Sequence, residues 1–337
     1  MGTSDSTTLR WGILGTGNIA RQFTKELALS ETGRLRGVAS RRPDKAFTFI
    51  ESLKNPDGGS ITAYGSYRSI LEDPAIDAIY IALPNTLHFE WTAAALRSGK
   101  QVLCEKPLAL NRREAEELFD IADKNGALLM EGFMYRAHPR THLLLDTVSN
   151  GEIGTLQLIQ INFCFNRPAA KEDARFHPNE GGGSLMDVGC YCIDLARSLT
   201  GQEPVRANGI AHLHEWGVDD YFAGSLAFPN GVLASFVCGM TLTTDQTTRL
   251  YGTEGWIEIP RFWKAAEGFT IHRPEREPEN IQLLPTSPLP PLYAIEADAF
   301  AGVLRGAPNW NPRENTVGNL KVLEMLRNQI QADPLTR

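Results

Sequence analysis

The feature that most narrows the fold of this chain is a nine-residue stretch near its start, GILGTGNIA (residues 12–20). Gly15, Gly17 and Ala20 follow a short apolar run and open a helical pattern. In a strand–turn–helix unit each has a mechanical reason. Gly15 allows the tight turn, Gly17 lets a pyrophosphate approach the backbone, and Ala20 lets the helix pack close to a sheet. The free N–H groups of the helix start attract phosphate. Thr16, Asn18 and Ile19 complete the loop. The motif therefore predicts a dinucleotide-binding turn, against the plainer reading of a tight turn without ligand.

The surrounding pattern agrees. The segments RWGIL, RLRGVA, AIDAIYIAL and KQVLCE read as short buried strands, with helical patterns over 18–29, 43–53, 86–98 and 111–125 between them. Such alternation predicts βαβ units and a parallel sheet with right-handed crossovers. Past about Ala127 the texture changes. TLQLIQINFCF reads as a strand, and GSLAFPNGVLASFVCGM and RLYGTEGWIEI read as hairpins. Close hairpins predict an antiparallel sheet. The proline-rich RPEREPENIQLLPTSPLPPL is expected to cross the surface as a long loop, before two helical patterns over 294–304 and 314–331. The expected fold class is α/β: a Rossmann-type domain over 1–127, then an α+β domain over 128–337 with a large open, mainly antiparallel sheet. A ligand is expected in the cleft between them.

Composition excludes other classes. The 337 residues carry a net charge of −7, without the basic footprint of a nucleic-acid binder. No apolar run reaches the ~18 residues of a membrane helix, and the polar start MGTSDSTTLR has no apolar signal core. A cytoplasmic protein with no membrane and no nucleic-acid partner is the expectation. Five cysteines, Cys104, Cys164, Cys190, Cys192 and Cys238, are sparse and odd in number, which suits reduced thiols.

The end of the second strand bears on the cofactor. A carboxylate there would hold the ribose 2′-OH of NAD. This chain instead has Ser40, Arg41 and Arg42, with Asp44 falling on the next helix. Serine and arginine can hold a 2′-phosphate by charge-assisted hydrogen bonds. NADP is favoured over NAD.

Two further signatures join the loop: Pro84-Asn85-x-x-His88 with Glu105-Lys106-Pro107, and the later GGGSLMDVGCYCID (residues 181–194). Together they resemble the glucose–fructose oxidoreductase/inositol dehydrogenase family (Gfo/Idh/MocA) over nearly the whole chain. MEGFMYRAHP (residues 130–139) and DVGCY resemble the branch of dihydrodiol dehydrogenase, NADP-dependent xylose dehydrogenases and sugar 3-ketoreductases. The inositol dehydrogenase branch has His where Tyr191 stands, a departure shared with the glucose–fructose branch.

The resemblance implies hydride transfer between nicotinamide and a hydroxyl- or carbonyl-bearing carbon of a sugar or related polyol. It makes Lys106 the catalytic lysine, in a Lys-Pro peptide expected cis, and Tyr191 the acid/base, with Asp187 orienting the substrate or the Lys–Tyr pair. Leu83, Pro84, Asn85, His88 and Glu105 are expected on the nicotinamide–ribose side. Arg136 and Arg175 are substrate candidates, with salt bridges as the plain alternative. Tyrosine titrates near 10, so it needs a cation nearby to work at neutral pH.

Within GGGSLMDVGCYCID, Ser184 is the expected N-cap, and Asp187 and Tyr191 share a helix face at i,i+4. Cys190 and Cys192 diverge by roughly 200° on a helix. They are expected to be packing residues, with no metal and no redox pair. Alternative readings are a trans-dihydrodiol dehydrogenase, a nucleotide-sugar 3-ketoreductase, or a non-catalytic ligand-sensing regulator on the same fold. The open sheet's exposed face predicts a homodimer or homotetramer.

Overall fold

The computed structural model describes residues 8–53, 59–264, 268–283 and 289–332. It divides into two compact units, Met1–Ala109 with Arg113–His138 and Ser287–Thr316, and Leu110–Arg112 with Pro139–Thr286 and Val317–Arg337.

The first unit alternates β1 (Leu9–Leu14), α1 (Asn18–Leu27), β2 (Gly33–Ala39), α2 (Pro43–Glu51), β3 (Thr62–Tyr64), α3 (Tyr67–Leu71), β4 (Ala78–Ile81), α4 (His88–Arg97), β5 (Gln101–Glu105), α5 (Arg112–Asn125) and β6 (Leu129–Gly132). The parallel sheet has the order β3-β2-β1-β4-β5-β6, the dinucleotide-binding arrangement. Its central strand β4 is buried at all four positions, so an unbroken apolar run replaces alternation. Helix α1 buries Ala20, Phe23, Thr24 and Leu27, the i, i+3, i+4, i+7 stripe of a helix with one face on a sheet. Phe23 stacks on Tyr80 with ring centroids 3.7 Å apart, and Trp11 packs edge-on beside it.

Two boundaries differ from expectation. β6 lies beyond residue 127 and forms the sheet's edge, because its four residues are buried against β5. The chain also returns: α8 (Leu292–Leu304) packs Tyr293, Ala297 and Phe300 into this unit. There Asp298 accepts hydrogen bonds from Ser30 Oγ and from the Thr32 backbone and hydroxyl.

The second unit contains α6 (Pro139–Ser149), β7 (Leu156–Cys164), α7 (Cys190–Thr200), β8 (Arg206–Leu213), β9 (Asp219–Ala227), β10 (Leu233–Gly239), β11 (Thr248–Gly252), β12 (Trp256–Ile259), β13 (Gly268–His272) and β14 (Glu279–Gln282). The last helix, α9 (Arg313–Ala332), runs into it. The eight strands are ordered β14-β13-β12-β11-β7-β10-β9-β8 and pair antiparallel except β7 with β10. The proline-rich stretch is thus not all loop, since β14 within it pairs with β13 and extends the sheet edge; residues 284–288 lie outside the described residues. Along β9, Phe222 and Leu226 face the core while Tyr221, Ala223 and Ser225 face out. Among the described residues no helix is long and apolar enough to cross a membrane.

Candidate active site

The first unit builds the dinucleotide turn as the motif demands. Gly15 has φ +109°, and a Cβ there would lie 2.4 Å from the Ala82 carbonyl oxygen, so only glycine fits. Gly17, the cap of α1, has no atom within 4 Å of where a Cβ would point and makes no side-chain cap bond. The turn therefore offers open backbone at a helix start, which suits a pyrophosphate. Ala20 is fully buried, as close helix–sheet packing needs.

At the end of β2, Ser40 is buried and its Oγ accepts from Arg42 N at 3.3 Å. Arg42 is ion-paired with Asp44 at 2.6 Å, both exposed. Arg41 is exposed, and its charge opposes the burial that pushes the Tyr67 pKa up.

Lys106 follows β5, and its peptide bond to Pro107 is cis. Its neighbours are held from several sides. His88 is fully buried, with Nδ1 2.8 Å from the Pro107 carbonyl and Nε2 2.8 Å from the Leu83 carbonyl. Burial pushes the imidazole pKa down, against the two carbonyls, which favour a proton. His88 is thus a strut behind the turn: it ties the end of β4 to the Lys106–Pro107 turn. Leu108 N donates to Glu131 Oε1 at 2.9 Å. Glu105 is buried, accepts from the Tyr80 hydroxyl, and receives the Lys106 N–H at 3.3 Å. Behind it lies Glu296 of α8, fully buried with neither carboxylate oxygen hydrogen-bonded. Burial first, then the charges of Glu105 and Glu26, push the Glu296 carboxyl well up. Arg136 donates from Nε to the Trp310 carbonyl at 3.0 Å.

The second unit carries Asp187 and Tyr191. Leu185–Gly189 forms a π-helical turn that runs directly into α7. Such turns are uncommon and recur at functional sites. Ser184 is not the expected N-cap: it has helical backbone angles and makes no side-chain cap bond. Instead its Oγ donates to Asp219 Oδ2 at 2.8 Å, and Leu185 N donates to the same oxygen at 2.7 Å.

Asp187 Oδ2 accepts from Arg175 Nε at 3.0 Å, and Arg175 also pairs with Asp173 at 3.1 Å. The Asp187 charge leads in raising the Arg175 pKa. Tyr191 is 4 % exposed. Phe163 and Trp263 meet its ring edge-on at 5.2 and 5.5 Å, and they stack on each other at 4.7 Å. Trp263 Nε1 donates to the Asn162 carbonyl at 2.9 Å. Arg140 stacks on Phe262 and donates to the Phe262 and Lys264 carbonyls, which fixes the loop presenting Trp263. Cys190 and Cys192 are both fully buried.

Sequence reasoning missed Glu131, Glu296, Phe163, Trp263 and Asp219. Glu131 stands within MEGFMYRAHP but carried no assignment there, and the other four lie in no local motif. Their partners are distant in the chain, as in the 35-residue separation of Ser184 and Asp219.

Comparison with known proteins covers both units. Residues 9–133 match the model of an oxidoreductase family described by its NAD-binding Rossmann fold, and residues 142–258 match the GFO/IDH/MocA C-terminal domain. The chain is 35% identical over 250 residues to D-xylose 1-dehydrogenase (NADP(+)) 2 of Haloferax volcanii, covering 74% of this chain and 75% of that protein. It is 33% identical to trans-1,2-dihydrobenzene-1,2-diol dehydrogenase of Mus musculus, covering 77% of each. The solved structure of an aldose-aldose oxidoreductase from Caulobacter crescentus, complexed with glycerol, superimposes with a TM-score of 0.86 at 27% identity, covering 96% of this chain and 98% of that one.

Proposed function

The chain belongs to the oxidoreductase family with an NAD-binding Rossmann fold and a GFO/IDH/MocA C-terminal domain, and from that membership we propose that it is an NADP-dependent enzyme acting on a sugar or related polyol. The observation that carries the reading is the joint presence of the open Gly15–Gly17 turn and the titratable residues Lys106, Asp187 and Tyr191. A ligand sensor on this fold needs the first and has no use for the second.

NADP supplies or accepts the hydride when bound. The chain's own residues do the rest. Gly15, Thr16, Gly17, Asn18 and Ile19 hold the pyrophosphate, and Ser40, Arg41 and Arg42 the 2′-phosphate. Leu83, Pro84, Asn85 and Glu105 border the nicotinamide ribose, with His88 bracing that wall from behind. Tyr191 gives or takes the substrate hydroxyl proton, a role worth about 10²–10⁴-fold in rate. Lys106 hydrogen-bonds the substrate oxygen. Asp187, held by Arg175, orients the substrate. Arg136 is a further substrate contact.

The cofactor half is tested by titrating the protein with NADPH and NADH and following nucleotide fluorescence. Arg41→Ala is expected to weaken NADPH by about 1.5–3 kcal/mol, the worth of a hydrogen bond to a charged group, and to leave NADH nearly unchanged. Equal losses for both would remove the 2′-phosphate assignment.

A second reading keeps the enzyme and changes the substrate to a trans-dihydrodiol. It is supported by the similarity to the mouse dihydrobenzenediol dehydrogenase and by the aromatic pair Phe163 and Trp263 beside Tyr191, which suits a flat ring. Relative kcat/KM for xylose and a benzene dihydrodiol separates the two. We place the enzyme in the cytoplasm as a homodimer or homotetramer formed through the outer sheet face, where Ile210 is 73 % and Leu233 53 % exposed.

A further inference from the structure

We propose that Asp219 is a positioning residue: its ionised carboxylate clamps Gly183, Ser184 and Leu185 and so fixes where the turn carrying Asp187 begins. The proposal deepens the functional reading above, since it takes Asp187 and Tyr191 as the working groups.

The geometry is specific. Two donors from adjacent residues, Ser184 Oγ and Leu185 N, converge on Asp219 Oδ2. The other oxygen faces Gly183, where a Cβ would lie 2.2 Å from Oδ1; Gly183 has φ +116°. The carboxylate thus reads three consecutive residues. Both flanking segments are tied to Gly183. Gly183 N donates to the Arg175 carbonyl at 2.9 Å, and Asp187 N donates to the Gly183 carbonyl at 2.9 Å. The clamp therefore locates both members of the Arg175–Asp187 pair. At the far end of the turn, Gly189 sits so close to β10 that a Cβ would lie 3.0 Å from Cys238 Sγ. Asp219 holds one end of the π turn and β10 the other, with Asp187 between them and Tyr191 just after.

An anion at a helix start is favoured by the free N–H groups there, and bonds to a charged acceptor are stronger than neutral ones. Protonation weakens both, while removing the larger cost of burying the charge. Burial pushes the Asp219 carboxyl up to about 6, against the bonds from Leu185 and Ser184 and the charge of Arg327 in α9, all of which favour the ionised form. The other titratable group facing it is the buried Cys238 thiol of β10, whose Sγ lies 3.8 Å from Ser184 Oγ. On β8 only Leu213 stands opposite. The neighbouring Asp220 is engaged by His212 at 2.7 Å and Thr241 at 2.7 Å.

Hydrogen exchange of the full-length protein between pH 5 and 8, corrected for intrinsic rates, tests the clamp without needing turnover. In the wild type, protection of residues 183–191 is expected to rise as pH drops through about 6, because the folded carboxyl, its pKa raised by burial, keeps a proton that the opened and hydrated one releases. Asp219→Asn removes that step. Ser184→Ala moves it to higher pH, because one bond favouring the ionised form is lost. In turnover, kcat of the wild type is expected to fall as pH drops through the same midpoint, because the charge-assisted bonds that fix the turn are lost, with KM for NADP unchanged. The limb is absent in Asp219→Asn, which keeps an equal or higher melting temperature at pH 8 because a buried charge is gone. A merely structural residue would lower stability instead. Exchange and kcat profiles in Asp219→Asn that match the wild type overturn the proposal. If Tyr191→Phe keeps full activity, the reading of the working groups fails, and the exchange step alone still decides whether the clamp exists.

Discussion

Glu296 shows how much of this protein is decided by single buried side chains. Its carboxylate is fully buried without a hydrogen-bond partner, and burial and nearby acids push its pKa well up from 4.5. The folded chain keeps the proton where the unfolded chain releases it. Stability therefore falls as pH rises from about 4.5 toward the folded pKa. Glu296→Gln, of equal shape and never charged, is expected to flatten that slope and raise the melting temperature at pH 8 relative to pH 5. Melting curves across that range check it; an unchanged slope would mean the carboxyl is ionised and solvated in the fold. No sequence pattern points to this residue, because a glutamate in a helix reads as a solvated face. The candidates Lys106, Asp187 and Tyr191 stand in short signatures that a sequence displays, whereas Asp219 and Trp263 meet the turn and Tyr191 from distant strands and loops.

Among elements, the legible ones have a strong local pattern. β4 and β5 are buried on both faces and read as apolar runs, and α1 shows its stripe. β6 is hidden because it is only four residues long and Glu131 interrupts its apolar run, yet Glu131 is buried and its carboxylate receives Leu108 N. β14 is hidden by flanking prolines, which tertiary pairing with β13 tolerates at a sheet edge. The π turn reads as plain α-helix because the Asp219 carboxylate that holds its start lies on a distant strand. Gly183 carries the steric cost of that arrangement. Gly183→Ala places a methyl against Asp219 and strains a left-handed backbone, an expected loss of about 1–3 kcal/mol. Urea unfolding measures it, and a loss near zero would show that the turn can shift.

At the scale of the whole molecule, the eight-stranded sheet leaves one face open. A hollow of about 670 Å³ on that face is bordered by Gln160, Asn162, Asn208, Ser225 and Arg249, with the exposed Ile210 at its side. Exposed apolar groups around a broad flat surface mark association sites. Ile210→Asp is expected to shift sedimentation toward the monomer with little change in melting temperature; an unaltered sedimentation profile would move the interface elsewhere. The family and both domain types are legible from three motifs, while the substrate is not, because the walls beside Tyr191 come from a strand and a loop without a readable signature.

Hydride transfer by this chain, with Tyr191 as its acid/base, is the property on which the proposed function rests. Its most direct test is steady-state reduction of NADP with a panel of aldoses and a benzene dihydrodiol, comparing the wild type with Tyr191→Phe at equal NADP occupancy. Expected are turnover by the wild type, a kcat lower by about 10²-fold or more in the variant, and unchanged NADPH affinity. Full activity in Tyr191→Phe, or no hydride transfer by the wild type with any member of the panel, would contradict it.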